Sequence, residues 1–403
     1  MNLEESVQQF IEDKKEYYKQ WIFEEPIVIS KSHNASMQKL QNVMYKLIKE
    51  FVVNYEEYKE HMPVSEDVER VLTIFKRKDY NIGTYRTDFV YDENNQVKLI
   101  EITCRFALNG MFLSGLMNDI AKENIPDSLK EIKIKDQYLP IYQHLNEYLK
   151  NSSAVCVLKG NDTRNESKIY IDILKRTGLE LIEVSYNELE SNLEKLSNSL
   201  VISELSFDEI LSLSEKTLNA LASSNLINDF RTVFLIHDKR FFSVLSKTAL
   251  QAKALTSEEI SFFENYYIPT YCSYEAKEKW EMAKNNKDEW IIKHRSLGKS
   301  QKVFAGIVTP VEEWAAIFES ADFKDMTLQK WIPQKTIKGR IQKEEFEDFV
   351  TGTLLFFDDN YFGYGDFRTS SHPVTNKVDH RKVAGLILDE KIEKIRGVEN
   401  YII

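Results

Sequence analysis

Residues 86 to 105, RTDFVYDENNQVKLIEITCR, set basic and acidic side chains at strand spacing, and the chemistry they could do depends on which of them share a face. Side chains alternate along a strand, so Arg86, Asp88 and Val90 point one way while Tyr85, Thr87, Phe89 and Tyr91 point the other. On the following strand Leu99, Glu101, Thr103 and Arg105 lie together. A two- or four-residue loop at DENN pairs even positions with odd ones and puts Arg86 and Asp88 on the face of Glu101 and Thr103; a three-residue loop breaks that arrangement. Two carboxylates about 4 Å apart repel by roughly 4 kcal/mol at an effective dielectric of 20, so such a face requires a compensating cation. Arg86 offers one charge and a magnesium ion two. Hard carboxylate oxygens with positions left for water and phosphate are what Mg2+ uses when it carries a nucleotide. The same residues would also make solvated cross-strand ion pairs worth a fraction of a kcal/mol each.

A second basic group follows late in the chain. WIIKHRSLGKSQK ends an apolar strand on Lys293 and continues into a loop with Arg295, Gly298, Lys299 and Lys302, which suits clamping a polyphosphate and is also what a solvated basic loop looks like. LQKWIP sets Gln329 and Trp331 before a proline, either as an edge and aromatic face for adenine or with the tryptophan in the core. GYGDFRTSSHPVTN brings Gly363 and Gly365 around a turn and Arg368 onto a strand, where it reaches a γ-phosphate or pairs with an acid.

The elements that position these groups are legible in outline. Residues 3 to 60 read as helices with apolar positions recurring at three and four and Ser36 as an N-cap; SEDVERVLTIFK is a further helix with an acidic first turn. After the hairpin come helices in FLSGLMNDIAKEN and DQYLPIYQHLNEYLKN. SAVCVLKGN, ESKIYIDILKRTGL and ELIEVS form a βαβ unit with Gly178 after its helix, and SLVIS and RTVFLIHD read as further parallel strands of a small doubly wound unit. Its first strand ends in Gly160 without GxGxxG, so no dinucleotide site is expected there. FEDFVTGTLLFFDDNYFGYGDFRTS alternates as antiparallel strands, and the order of elements suggests that the first and last regions share one sheet or one cleft.

At 403 residues with 42% apolar content the chain is long enough for two or three domains. The N-terminus is acidic and amphipathic rather than a basic stretch followed by an apolar one, and no run approaches a membrane span, so the reading is a cytoplasmic protein without membrane attachment. Cys104, Cys156 and Cys272 show no CxxC spacing and read as buried small apolar residues. A net charge of −11 disfavours nucleic acid as a partner. The amphipathic N-terminal helices leave a homodimer open.

RTDFVYD followed by LIEIT resembles the metal-binding hairpin of the circularly permuted, glutathionylspermidine synthase-like branch of the ATP-grasp superfamily, with its R-x-D and E-x-N pattern. WIIK and LQKWIP are similar to that branch's lysine strand and adenine hinge, and GYGDFRTSSHPVTN to its arginine-bearing strand and loop. The hairpin precedes the lysine, as the permuted order requires. The resemblance implies an α/β protein of the α+β ATP-grasp kind. It divides the chain into N-terminal helices at 1–64, the hairpin part of the ATP-grasp at 65–150, a Rossmann-like pre-ATP-grasp unit at 151–284 and the nucleotide-binding part at 285–403. It also implies ATP and Mg2+ as cofactors. Asp88, Glu101 and Thr103 would hold the metal, Lys293, Lys299, Gln329 and Trp331 the nucleotide, and Arg86, Arg105 and Arg368 the reacting phosphoryl group. Thr103 stands where the pattern has a metal-binding Asn, and the loop after Lys293 is poorer in glycine.

The activity so implied is an ATP-dependent carboxylate-amine ligase that forms an amide through an acyl phosphate, on an amino acid, peptide or polyamine-type substrate. Such chemistry asks for positioning and charge stabilisation rather than a protein nucleophile, in keeping with a sequence that has no GxSxG and no HExxH. A degenerate nucleotide-binding homologue and a small-molecule kinase are the alternatives. His237, in FLIHD, reads as a satisfied or capping histidine before a base.

Overall fold

The aromatic face of the hairpin anchors the main sheet. Tyr85, Phe89 and Tyr91 are fully buried, and their rings meet Phe356, Tyr364 and Phe367 from strands more than 250 residues later. In the computed structural model, which describes residues 2–402 apart from 124, 126, 162–166, 376 and 393–399, strand Thr84–Tyr91 lies between Val97–Thr103 and the long strand Glu344–Phe357. Phe367–Ser370 and Arg381–Val383 continue this antiparallel sheet, and Thr336–Ile341 and Asn360–Tyr364 also pair along Glu344–Phe357. The early hairpin and the late strands therefore share one sheet.

Three smaller sheets complete the frame. Trp290–His294 lies between Val303–Ala305 and Met326–Lys330, with Thr270–Cys272 at the far edge, all antiparallel. The central unit is parallel, in the order Glu180–Ser185, Ala154–Lys159, Ser199–Ser203 and Asn225–Leu226. Gly178 ends the helix Ser167–Thr177 with φ +79°, a left-handed conformation that glycine adopts without penalty. The fourth sheet aligns Ile27–Ile29 in parallel with Gly385–Ile387 and Tyr401–Ile402.

The N-terminal segment is therefore not wholly helical, because the strand Ile27–Ile29 separates its first two helices. Helix Lys31–Val53 starts six residues earlier than expected. Ser30 is its N-cap, accepting from the His33 N–H at 3.1 Å, whereas Ser36 lies inside the helix and bonds back to the Ser32 carbonyl. Met37, Leu40, Met44, Leu47 and Phe51 form its fully buried stripe, each worth about 1.5–3 kcal/mol of burial.

RTVFLIHD is not a strand. Residues Thr232–Ile236 form a π-helical turn buried on every side, and a short apolar run of this kind has no periodicity to separate strand from helix. All three cysteines are buried. No helix of the described residues is long and apolar enough to cross a membrane.

Candidate active site

The charged face of the hairpin depends on one extra residue. Tyr91 pairs with Val97 and Phe89 with Leu99, a register that, continued, would set Asp88 opposite Ile100 and turn Glu101 to the aromatic face. Instead the register shifts between Phe89 and Asp88, Ile100 is bulged, and Asp88 faces Glu101 while Arg86 faces Thr103. A β-bulge rather than the loop length thus creates the shared face. The bulge also frees the Ile100 carbonyl, which accepts from Lys293 Nζ at 3.1 Å.

Each carboxylate holds a cation from another element. Asp88 is buried; one oxygen takes the guanidinium of Arg368 and the other, Oδ1, has no hydrogen-bond partner among the described residues. Burial pushes its carboxyl up against the pull of Arg368 and Arg86. Glu101 Oε2 lies 3.4 Å from Lys239 Nζ. Burial alone would raise the Glu101 carboxyl, but Lys239, Lys293 and Arg368 hold it at about 2.

Lys293 is buried on its strand, and Nζ also donates to Gln329 Oε1 at 2.8 Å; Gln329 in turn donates to Thr270 Oγ1. Desolvation lowers its pKa to about 8 despite Glu101. Arg86 approaches Asp366 at 3.9 Å, and Asp366 pairs with Lys382. Gly110, at φ +87°, makes room for Arg86, since a Cβ there would lie 3.0 Å from Nη1.

Two cavities meet at Asp88 and Glu101. The first, about 750 Å3, is lined by Val90, Ile100, Ile268, Ile291, Trp331 and Val374 together with the polar side chains of Lys293, Lys299, Gln329, Lys330 and Gln334. Trp331 is half-buried on Ile291, Val303 and Val374, so it is both a packing residue and part of the cavity wall. The second, about 1300 Å3, is lined by six cations, Arg86, Arg105, Lys239, Lys299, Arg368 and Lys382, against the three carboxylates of Asp88, Glu101 and Asp366. Thr103 lies on its wall, and Arg105 packs its guanidinium 4.1 Å from the Phe106 ring. Lys299 lines both cavities, from a loop in which Lys299, Ser300 and Lys302 adopt φ of +54°, +56° and +49°; these non-glycine residues in the left-handed region store backbone strain.

Most residues singled out from the sequence line one or both cavities, whereas Arg295 and Lys302 line neither and pair with Asp238 and Asp325, and with Asp322, respectively. Among the described residues no three His, Cys, Asp or Glu side chains form a metal cage. Two facing carboxylates, one with an orphaned buried oxygen, are the kind of donor set that takes Mg2+ together with substrate phosphates. His237 is buried and accepts from the Cys104 N–H through Nδ1 at 3.3 Å; burial, Lys239 and Arg105 push its pKa down to about 3, so it stays neutral and satisfied.

Lys239, Asp366 and Lys382 were not foreseen. Asp366 lies just before the strand Phe367–Ser370 that bears Arg368. Lys239 carried no signal in the sequence, since its position follows from the π-helical turn.

A family model described as the AnkG N-terminal domain matches residues 38–235, just under half of the chain, a span that holds the hairpin and the central sheet but neither Lys239 nor Lys293. No curated protein matches the sequence. Among solved structures, a glutathione synthetase-like effector from Globodera pallida in its apo form aligns with a TM-score of 0.59, over 94% of this chain and 96% of that one, at 12% identity. The fold is α+β and ATP-grasp-like. At that identity the likeness speaks to the fold alone, and the function rests on the site.

Proposed function

We propose that the chain is an ATP-dependent carboxylate-amine ligase of the permuted ATP-grasp kind. The observation that carries this reading is the junction itself: a pair of facing carboxylates between a cavity with a buried lysine beside Trp331 and a second cavity with six cations. In this reading residues 65–150 and 285–403 build the nucleotide cleft, 151–284 form the accompanying α/β unit, and 1–64 brace the sheet.

Adenine enters the first cavity against Trp331, and Lys293 meets the polyphosphate. Mg2+, held by Asp88 and Glu101 with Thr103 beside them, would neutralise phosphate charge. Arg86 and Arg368 turn toward the terminal phosphate. The substrate carboxylate oxygen attacks the γ-phosphorus, the bond to the bridging oxygen breaks, and ADP leaves. The amine lone pair then attacks the acyl carbon, inorganic phosphate departs, and the amine proton passes to phosphate or water. Positioning and fixed positive charge supply the rate enhancement. The cationic second cavity favours an acidic substrate and disfavours a polyamine. The name of the aligned effector, glutathione synthetase-like, agrees with amide formation on a small peptide.

Trapping tests this reading. Purified protein with ATP, Mg2+ and a panel of amino acids and short acidic peptides, supplemented with hydroxylamine, should release ADP and yield a hydroxamate. A phosphorylated product without hydroxamate would make it a kinase. A degenerate homologue is favoured by one observation, that both carboxylates already hold internal cations beside Thr103. It predicts nucleotide binding with no ADP release under any acceptor.

A further inference from the structure

A third cavity, about 590 Å3, lies apart from the candidate active site and, among the described residues, shares no lining side chain with the other two. It is lined by the end of helix Lys31–Val53, the short helix Tyr55–Tyr58 that follows, and helix Glu66–Phe75. Its floor is buried and mostly apolar, made of Val52, Tyr55, Leu72 and Leu235. One guanidinium joins them. Arg231 is 6% exposed; Asp229 takes its Nε at 3.0 Å and its Nη2 at 2.8 Å, and Nη2 also donates to the Lys78 and Asp79 carbonyls. Nη1 makes no hydrogen bond among the described residues. A buried cationic donor left open on a cavity selects an acceptor, and a carboxylate is the strongest one.

The exposed rim carries charges of both signs. Glu69, Thr73 and Lys76 follow one another at helical spacing above Leu72. Glu56 and Lys59, on the facing segment, pair with each other at 3.1 Å, whereas Glu69 and Lys76 form no ion pair among the described residues. With Asp229 matching Arg231 and Glu56 matching Lys59, one carboxylate and one ammonium are left to a ligand. A simple anion leaves Glu69 unmatched, and a simple cation leaves Lys76 and the open Nη1 unmatched. A zwitterion matches all three. We propose that this cavity binds a free α-amino acid with an apolar side chain, its carboxylate on Arg231 and Lys76, its ammonium on Glu69 and its side chain on Val52, Leu72 and Leu235. The site stands independently of the ligase reading and takes a different ligand from the acidic substrate of the second cavity.

Deleting one charge of the ligand at a time tests this. Calorimetry of the full chain would use leucine and phenylalanine, then isocaproate, which is leucine without its ammonium, and isoamylamine, which is leucine without its carboxylate. An exposed charge pair is worth up to about fivefold in affinity, and a contact to a buried guanidinium about tenfold. Leucine should therefore bind about fivefold more tightly than isocaproate and about tenfold more tightly than isoamylamine. Glu69→Gln, at an exposed position, should erase the first preference, and Lys76→Gln, also exposed, should narrow the second. Lys382→Met, in the second cavity, should leave leucine binding unchanged. Folded wild type that binds neither amino acid, either preference unmoved by its substitution, or leucine binding lost in Lys382→Met would each overturn the site.

Discussion

The two cavities share Asp88, Glu101, Arg368 and the loop residues Gly298 and Lys299. The first takes its walls from the lysine sheet and the hinge after Lys330, where Val90, Ile100, Ile268, Ile291 and Trp331 stand among Lys293, Lys299, Gln329, Lys330 and Gln334. The second takes its walls from the strand after the bulge, the residues following the π-helical turn, Asp366 and the strand bearing Lys382, and it brings six guanidinium and ammonium groups together beside Ile102, Phe106, Leu113 and Ile169. One chamber suits a flat, mostly apolar ring and the other suits anions. In the proposed reading the base would lie against Trp331 and the terminal phosphate among the cations of the second cavity, because an aromatic base gains from apolar contact and a polyphosphate from fixed positive charge. Where they meet, opposite charges are paired inside the protein, and those pairs are what a bound metal and phosphate would rearrange.

Substitutions that respect or violate this division should sort by size. The largest effect is expected for Arg368→Ala, which strips the buried Asp88 carboxylate of its partner and should cost about 3–5 kcal/mol of stability in denaturant unfolding. Lys293→Ala should weaken nucleotide binding about a hundredfold by calorimetry, since it removes the buried ammonium from the first chamber. Trp331→Ala should cost about tenfold in nucleotide affinity through lost base stacking.

A pH series should cost about the same. Lys293 loses its proton through about 8 in the free protein, so binding, which needs the ammonium, is full below that value and falls about tenfold between pH 7 and pH 9; Lys293→Arg should abolish the fall. Smallest of all is Lys382→Met. It lies on the anion side away from the hinge, so nucleotide affinity should stay within about threefold while use of the acidic substrate drops. If Lys382→Met weakened the nucleotide as much as Lys293→Ala, the division between chambers would be wrong.

What the sequence disclosed and withheld follows from the physics of each element. The hairpin was legible because a period of two is strict, and its order relative to WIIK and LQKWIP survives any error in element boundaries. The bulge at Ile100 was not, since one extra residue leaves no mark in an apolar alternation, yet it decides whether Glu101 faces Asp88. TVFLI in the π-helical turn is β-branched and apolar, the composition of a buried strand, and only tertiary packing makes it helical. That misreading hid Lys239. Ser36 was mistaken for a cap because LQNVMYKLI begins the strongest periodicity, while the helix extends upstream to Ser30. Charge pairing such as that of Asp366, just before strand Phe367–Ser370, with Lys382 on the strand beside it becomes visible only once the sheet order is known.

The central claim is that Asp88 and Glu101 carry the metal of a nucleotide lodged between the chambers. Its most direct test is calorimetric titration of wild type and Glu101→Gln with a non-hydrolysable ATP analogue, with and without Mg2+. Micromolar binding that depends on Mg2+ in the wild type, and loses that dependence in Glu101→Gln, is the predicted result. Folded wild type that binds no nucleotide, or a magnesium dependence untouched by Glu101→Gln, would contradict it.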